Sequence, residues 1–267
     1  MRLPIPIKIN NNYHRECEIQ APSPATLADT NKIADSDIYS AMIRFLQGSI
    51  KSIDGNEDIN KSLLYKMPYR TAEMIAVDAM LEIDDDDGVE GIYRCPLCGH
   101  GYVAEKKMSG DIEIDTRDFI SSMPVNYWDD EEYGVRHEFY NPIVINDGKG
   151  NIIEEVRDIE MTFPTMEHCI KAYSKFGRTD EIRFEFAVYL EAITHVNGSE
   201  IDSKFKNRFG MYIFENCNMK KDILVIGENM RRYGRDTTVK RTCEKCGRLW
   251  RSQVNTSNFF VSGLRTL

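Results

Sequence analysis

The residues of this chain best suited to chemistry are two matched cysteine knuckles, Cys95-Pro96-Leu97-Cys98-Gly99 and Cys243-Glu244-Lys245-Cys246-Gly247. Paired C-x-x-C units present four thiolates, a donor set that takes zinc tetrahedrally. The same donors hold iron in rubredoxin-like centres, so Zn2+ is expected with Fe left open. Each knuckle needs a tight turn after its second cysteine, where backbone N–H groups point at sulfur, and Gly99 and Gly247 permit that backbone. A redox-active C-P-x-C pair would instead open a helix, which Gly99-His100-Gly101 opposes. Cys17, Cys169 and Cys217 lack partners at ligand spacing and read as small buried hydrophobes.

The spacing between the knuckles carries the architecture. A zinc ribbon usually separates its knuckles by about 15–20 residues, whereas residues 99–242 lie between these. A whole subdomain is therefore inserted between the ribbon's halves, and the metal is expected to act as a structural clasp. Strand-like residues 89–94 and 237–241 precede the two knuckles, as they do where ribbon hairpins begin.

Charge gives the second set of candidates. Lys240, Arg241, Lys245, Arg248 and Arg251 surround the second knuckle, where they offset the formal charge of about −2 on a four-thiolate zinc centre. With Arg231, Arg232 and Arg235 they form a basic island that also fits phosphate contacts beside Tyr233 and Trp250. A zinc-ribbon nucleic-acid-binding regulator is thus the alternative reading, and its binding would be steeply salt-dependent. The net charge of −9 argues against the whole surface serving that purpose. Acid gathers instead at 82–87 and 129–132. The aspartate run lacks the alternate spacing, central glycine and distal glutamate of a calcium loop, and reads as a solvated segment.

Catalytic signatures are missing. The chain has no G-x-S-x-G, Walker loop or H-E-x-x-H, and His100, His137, His168 and His195 stand at unrelated places. His14 and Cys17 have a ligand-like H-x-x-C spacing without a second pair. The expectation is a protein that is not an enzyme.

The elements that must position the cysteines follow from periodicity. Residues 1–25 are proline-spaced and read as an extended N-terminal arm whose Leu3, Ile5, Ile7 and Ile9 alternate. Two readings are open: the arm adds a strand to a partner, or it packs on its own body. Residues 26–88 read as a helical region. Ser36 or Asp35 would cap a first helix using Ile38, Met42, Phe45, Leu46 and Ile50, and 71–83 would form a second. This hairpin leads into a ribbon composed of 89–115 and 236–260. The insert, 116–235, combines a strand hairpin turning at 146–151 with helices opening at Pro164, over 181–196 and ending near Asn197-Gly198, over 203–215 and over 219–233. Its aromatics Phe184, Phe186, Tyr189, Phe205, Phe209, Tyr212 and Phe214 read as core or interface. The fold class is α+β: a split zinc ribbon, a helical hairpin before it and a mixed insert between its knuckles.

At 267 residues the chain has room for a substantial core. It contains no run of about 20 apolar residues and no basic-plus-apolar N-terminus of a signal peptide, so a reducing cytoplasm is the expected place.

The segments Leu64-Tyr65-Lys66-Met67-Pro68-Tyr69-Arg70, Ile92-Tyr93-Arg94-Cys95-Pro96-Leu97-Cys98-Gly99, Phe163-Pro164-Thr165 and Arg183-Phe184-Glu185-Phe186-Ala187, followed by the closing Cys243 knuckle, form a recognisable series. Over residues 26–260 the chain resembles the baseplate-hub assembly proteins of T-even-like contractile phage tails. The resemblance implies a structural or assembly role in a phage or prophage tail, in the host cytoplasm during assembly or in the virion baseplate, with other tail proteins as partners, oligomerisation open and no catalysis.

Overall fold

The first strand shows how the prolines near the N-terminus are accommodated. In β1 (Arg2–Ile9) the ladder to β2 (Asn12–Ile19) is interrupted between Arg2 and Ile7. Pro4 and Pro6, which have no N–H to donate, lie inside that interruption. The computed structural model describes residues 1–9, 12–81, 91–95, 97–104, 133–147, 149–176, 181–230, 232–233 and 238–253. A third strand, β3 (Ile50–Ile53), completes an antiparallel sheet in the order β1-β2-β3.

The outer edge of β1 is fastened to the chain's own body. Thr71 Oγ1 accepts from the Ile5 N–H at 3.3 Å and donates to the Ile5 carbonyl at 2.7 Å, and the Tyr133 hydroxyl donates to the Pro6 carbonyl at 2.9 Å. Leu3, Ile5 and Ile7 are fully buried, and Ile9 packs partly buried beside them. The proposed partner-binding arm of Leu3, Ile5, Ile7 and Ile9 is therefore corrected to a core strand. Its apolar side chains are consumed within the fold and its edge is already occupied.

Residues 1–25 are not a separate arm for a second reason. Ser23 caps α1 (Pro24–Ala34) by accepting from the Thr26 N–H, with Pro24 in the first turn where its missing N–H costs nothing. The next cap is Asp37, rather than Ser36 or Asp35; its carboxylate accepts from the N–H groups of Tyr39 and Ser40 and opens α2 (Ile38–Ser49). Met42, Phe45 and Leu46 turn the buried face of α2 inward, as their spacing predicts. The short α3 (Lys61–Lys66) then leads to α4 (Tyr69–Leu81).

After the short strands β4 (Gly91–Arg94) and β5 (Gly101–Ala104), a four-stranded antiparallel sheet is built on a long hairpin of β6 (Val135–Asn146) and β7 (Ile152–Met161), with two further short strands beyond β7. Asp147 shapes its turn, accepting from the N–H groups of Lys149 and Asn151, each at 2.8 Å. Two helices follow, α5 (Met166–Phe176) and α6 (Glu181–Ala192). The expected helix over 181–196 stops short, because Ile193–Val196 forms β8 and pairs with β7. Asn197 and Gly198, at φ 50° and 73°, make a hairpin turn into β9 (Ser199–Glu200) rather than a helix cap. Beyond it lie α7 (Ser203–Asn216), a π-helical turn at Met219–Ile223 and α8 (Leu224–Met230).

Two apolar cores result. One joins the three-stranded sheet to α1–α4 and takes Met166, Cys169 and Ala172 of α5; the other joins the four-stranded sheet to α7, the π-turn and α8. Helix α6 serves both, placing Ala187 and Val188 in the first and Phe186, Tyr189 and Leu190 in the second. Strand β1 does the same with Leu3 and Ile7 against Ile5. The expected boundary between 26–88 and 116–235 is accordingly not a boundary in packing. The junction is also hydrogen-bonded, since Tyr69 N–H donates to the Pro164 carbonyl at 2.7 Å and Met166 N–H to the Met67 carbonyl at 3.0 Å.

Candidate metal centre

Each cysteine knuckle is held at the end of a short hairpin. Strands β4 (Gly91–Arg94) and β5 (Gly101–Ala104) flank the first, and β10 (Thr238–Thr242) and β11 (Leu249–Gln253) flank the second. The expected ribbon limits at 89–90, 105–115, 236–237 and 254–260 lie outside the described residues, as do Pro96, Arg231, Arg235 and the acidic runs at 82–87 and 129–132.

The two knuckles repeat one backbone pattern. The Cys95 N–H donates to the His100 carbonyl and the Cys243 N–H to the Arg248 carbonyl, both at 2.9 Å. The Gly99 N–H donates to the Cys95 carbonyl at 2.9 Å and the Gly247 N–H to the Cys243 carbonyl at 2.7 Å. Gly99 and Gly247 share a φ of 67°, in the region that favours glycine, so both fulfil the turn role their positions predict.

The four sulfur atoms of Cys95, Cys98, Cys243 and Cys246 all lie within 4.8 Å of one another. Across the knuckles, Cys95 Sγ is 3.7 Å from Cys246 Sγ, and Cys98 Sγ is 3.6 Å from Cys243 Sγ. A tetrahedron with metal–sulfur bonds of about 2.3 Å has edges of about 3.8 Å. The separations suit four ligands around one ion. All seven cysteines are free thiols, so the grouping arises without a disulfide. These residues fit a metal that demands thiolate donors.

The thiols of the site are shifted in opposite directions. Backbone N–H groups of Cys98 and Leu97 donate to Cys95 and hold its thiol below the usual range. At Cys246 the Arg248 N–H acts in the same direction, but the neighbouring Cys243 sulfur and desolvation outweigh it and push the thiol up to about 11. Crowded sulfurs resist ionising together, and a divalent cation at their centre removes that resistance. Outside the site, burial pushes Cys17 and Cys217 up to about 12 and raises Cys169 as well. Those three behave as the small apolar residues their spacing predicts.

The four cysteines differ in access. Cys95 and Cys243 are buried, Cys98 is half-buried and Cys246 is exposed. Around the second knuckle Lys245 and Arg248 are exposed, while Lys240 pairs with Arg251 and Arg241 with Trp250 in the β10–β11 register. Arg232 is exposed and lies 5.6 Å from the Tyr233 ring centroid. Tyr233 itself is buried and meets Phe163 edge to face at 5.4 Å, so it is a core residue and not a base-stacking surface.

One buried polar group has no counterpart in the sequence reading. Asp222, in the π-turn, accepts from the Asn218 N–H at 2.7 Å and the Tyr140 N–H at 2.8 Å, and lies 3.0 Å from His137 Nε2. Both side chains are buried. The carboxylate locks the π-turn against β6, a structural use of a histidine and an aspartate far apart in sequence.

Compared with known proteins, the chain matches no protein-family model, no curated protein and no solved structure. Among the described residues, no helix is long and apolar enough to cross a membrane.

Proposed function

We propose that Cys95, Cys98, Cys243 and Cys246 bind one zinc ion that closes a split ribbon, within a non-catalytic structural or assembly protein of a contractile phage-tail baseplate. The observation that carries the metal assignment is the convergence of four sulfurs within 4.8 Å from knuckles separated by residues 99–242. A closed four-thiolate shell leaves no position for substrate, which is the arrangement of structural rather than catalytic zinc. The metal would tie the middle of the chain to its C-terminal part, with binding free energy spent on folding. The tail assignment is supported by the resemblance of residues 26–260 to baseplate-hub assembly proteins. A metal clasp, together with two jointly packed cores, suits a protein that works by docking other tail proteins.

Metal analysis of the purified chain tests the first half: one zinc per chain is expected, and an iron-thiolate visible absorption would assign iron instead. Affinity capture from cells that natively produce the chain, with nuclease treatment and mass spectrometry, tests the second. Nuclease-resistant recovery of tube, sheath or hub proteins supports the tail reading. The exposed Lys245 and Arg248 at the second knuckle favour one rival, a zinc-ribbon regulator of nucleic acid. Loss of every partner on nuclease treatment, together with steeply salt-dependent oligonucleotide binding, would replace the tail reading with that one.

A further inference from the structure

The π-helical turn and α8 present an outward face distinct from the metal centre. Along Met219–Val225 the exposed positions are Met219, Lys220, Lys221, Leu224 and Val225, while Asp222 and Ile223 are buried. The outward positions therefore form one continuous face. Tyr140 of β6 extends it, 55% exposed, with Lys221 Nζ 3.4 Å from its ring centroid. Met219 and Leu224 are 49% and 48% exposed, so apolar surface and cations share one patch.

Neither Lys220 nor Lys221 forms an ion pair with a carboxylate among the described residues. Lys221 rests on an aromatic face instead. The nearest acid in sequence, Asp222, is buried and already engaged by Asn218, Tyr140 and His137. The same engagement fixes the patch, because Asp222 clamps the π-turn to the backbone of Tyr140.

We infer that this face docks a partner-protein segment that carries carboxylates beside apolar side chains. The carboxylates pair with Lys220 and Lys221, and the apolar groups cover Met219, Leu224, Val225 and the Tyr140 ring. Charge complementarity selects the occupant: two cations that form no ion pair among the described residues gain from an acidic partner, and exclusion of water by the apolar contacts strengthens each pair. A nucleic-acid strand would meet the same lysines but leave the aliphatic surface of Met219, Leu224 and Val225 uncovered. An anionic lipid surface is told apart from a protein segment by the crosslink described below. This inference rests on the docking role proposed above, although not on zinc.

The test is a photo-crosslinking amino acid at position 224 of the full chain, produced in its native cells, with the crosslinked product sequenced. One recurring segment containing both acidic and apolar residues is expected. Its yield should fall at least tenfold in a Lys220→Glu, Lys221→Glu background whose circular dichroism and melting temperature match the parent. A crosslink to lipid, to nucleic acid or to a segment without carboxylates would overturn the proposal, as would no crosslink or a yield insensitive to the charge reversal. If the acidic segment belongs to no tail protein, the tail reading fails while this inference stands. If tail proteins are captured but crosslink only elsewhere, the reverse holds.

Discussion

Cys246 is the exposed ligand of the proposed centre and Cys243 a buried one, so a single substitution in the second knuckle reports on a site whose other half is distant in the chain. Cys243→Ser is expected to abolish the bound zinc, taking the stoichiometry from one to near zero by metal analysis, because serine is a poor zinc donor. Retained stoichiometric metal would defeat the single-site assignment. A second residue-scale expectation concerns His168 at the start of α5. Thr165 and His168 cap each other: the His168 N–H donates to Thr165 Oγ1 and the Thr165 N–H donates to His168 Nδ1, both at 3.4 Å. Burial lowers the His168 pKa to about 4, against an ordinary value of about 6.5. As pH falls the unfolded chain takes up this proton first, so the contribution is fully present above about pH 6.5 and is lost through about pH 4, amounting to about 1–3 kcal/mol. His168→Gln keeps an acceptor at the capping position without the titration. Denaturant titrations between those pH values should show a flatter stability profile in this variant; an unchanged profile would remove His168 from the account.

At the scale of elements, α6 and α7 approach closely because Gly210 has no side chain. A methyl group there would lie 1.9 Å from Leu190 Cδ1, closer than packed atoms tolerate. Gly210→Ala is expected to destabilise the chain by about 1–3 kcal/mol despite its better helix propensity. A midpoint shift of that size in urea, with unchanged slope, would confirm the contact, whereas stabilisation would place the helices further apart. The elements also show where local pattern reading reaches its limit. Helices α2 and α4 and the β6–β7 hairpin carry their periodicity and caps in contiguous residues. The segment Ile193–Val196 does not: it continues the apolar pattern of α6 but joins β7 through Ile159↔Val196 and Glu160↔His195. Pairing to a distant strand overrode a local helical preference there.

For the whole molecule, β1 and α6 make the two cores interdependent, and the metal centre stands as a separate small cluster of Cys95 and Cys243 with Cys98. Removing residues 2–9 is therefore expected to prevent cooperative folding, since it takes fully buried Leu3, Ile5 and Ile7 from both cores. Native circular dichroism and an unchanged melting temperature would return this segment to a detachable role. Chelation is expected to act locally: hydrogen exchange should rise over 91–104 and 238–253 while both cores stay protected, and global unfolding by chelator would instead make the metal a requirement for them. Knuckle spacing, the glycines at positions 99 and 247, the α+β mixture and the metal-ligand candidates are written in the linear chain, because thiolate donors and tight turns depend on residue type over a few positions. The fate of the N-terminal strand, the shared α6, the burial of Tyr233 and the Asp222–His137 clamp are settled by contacts between residues far apart in the chain. Burial is a property of what surrounds a side chain, and no local pattern records that neighbour.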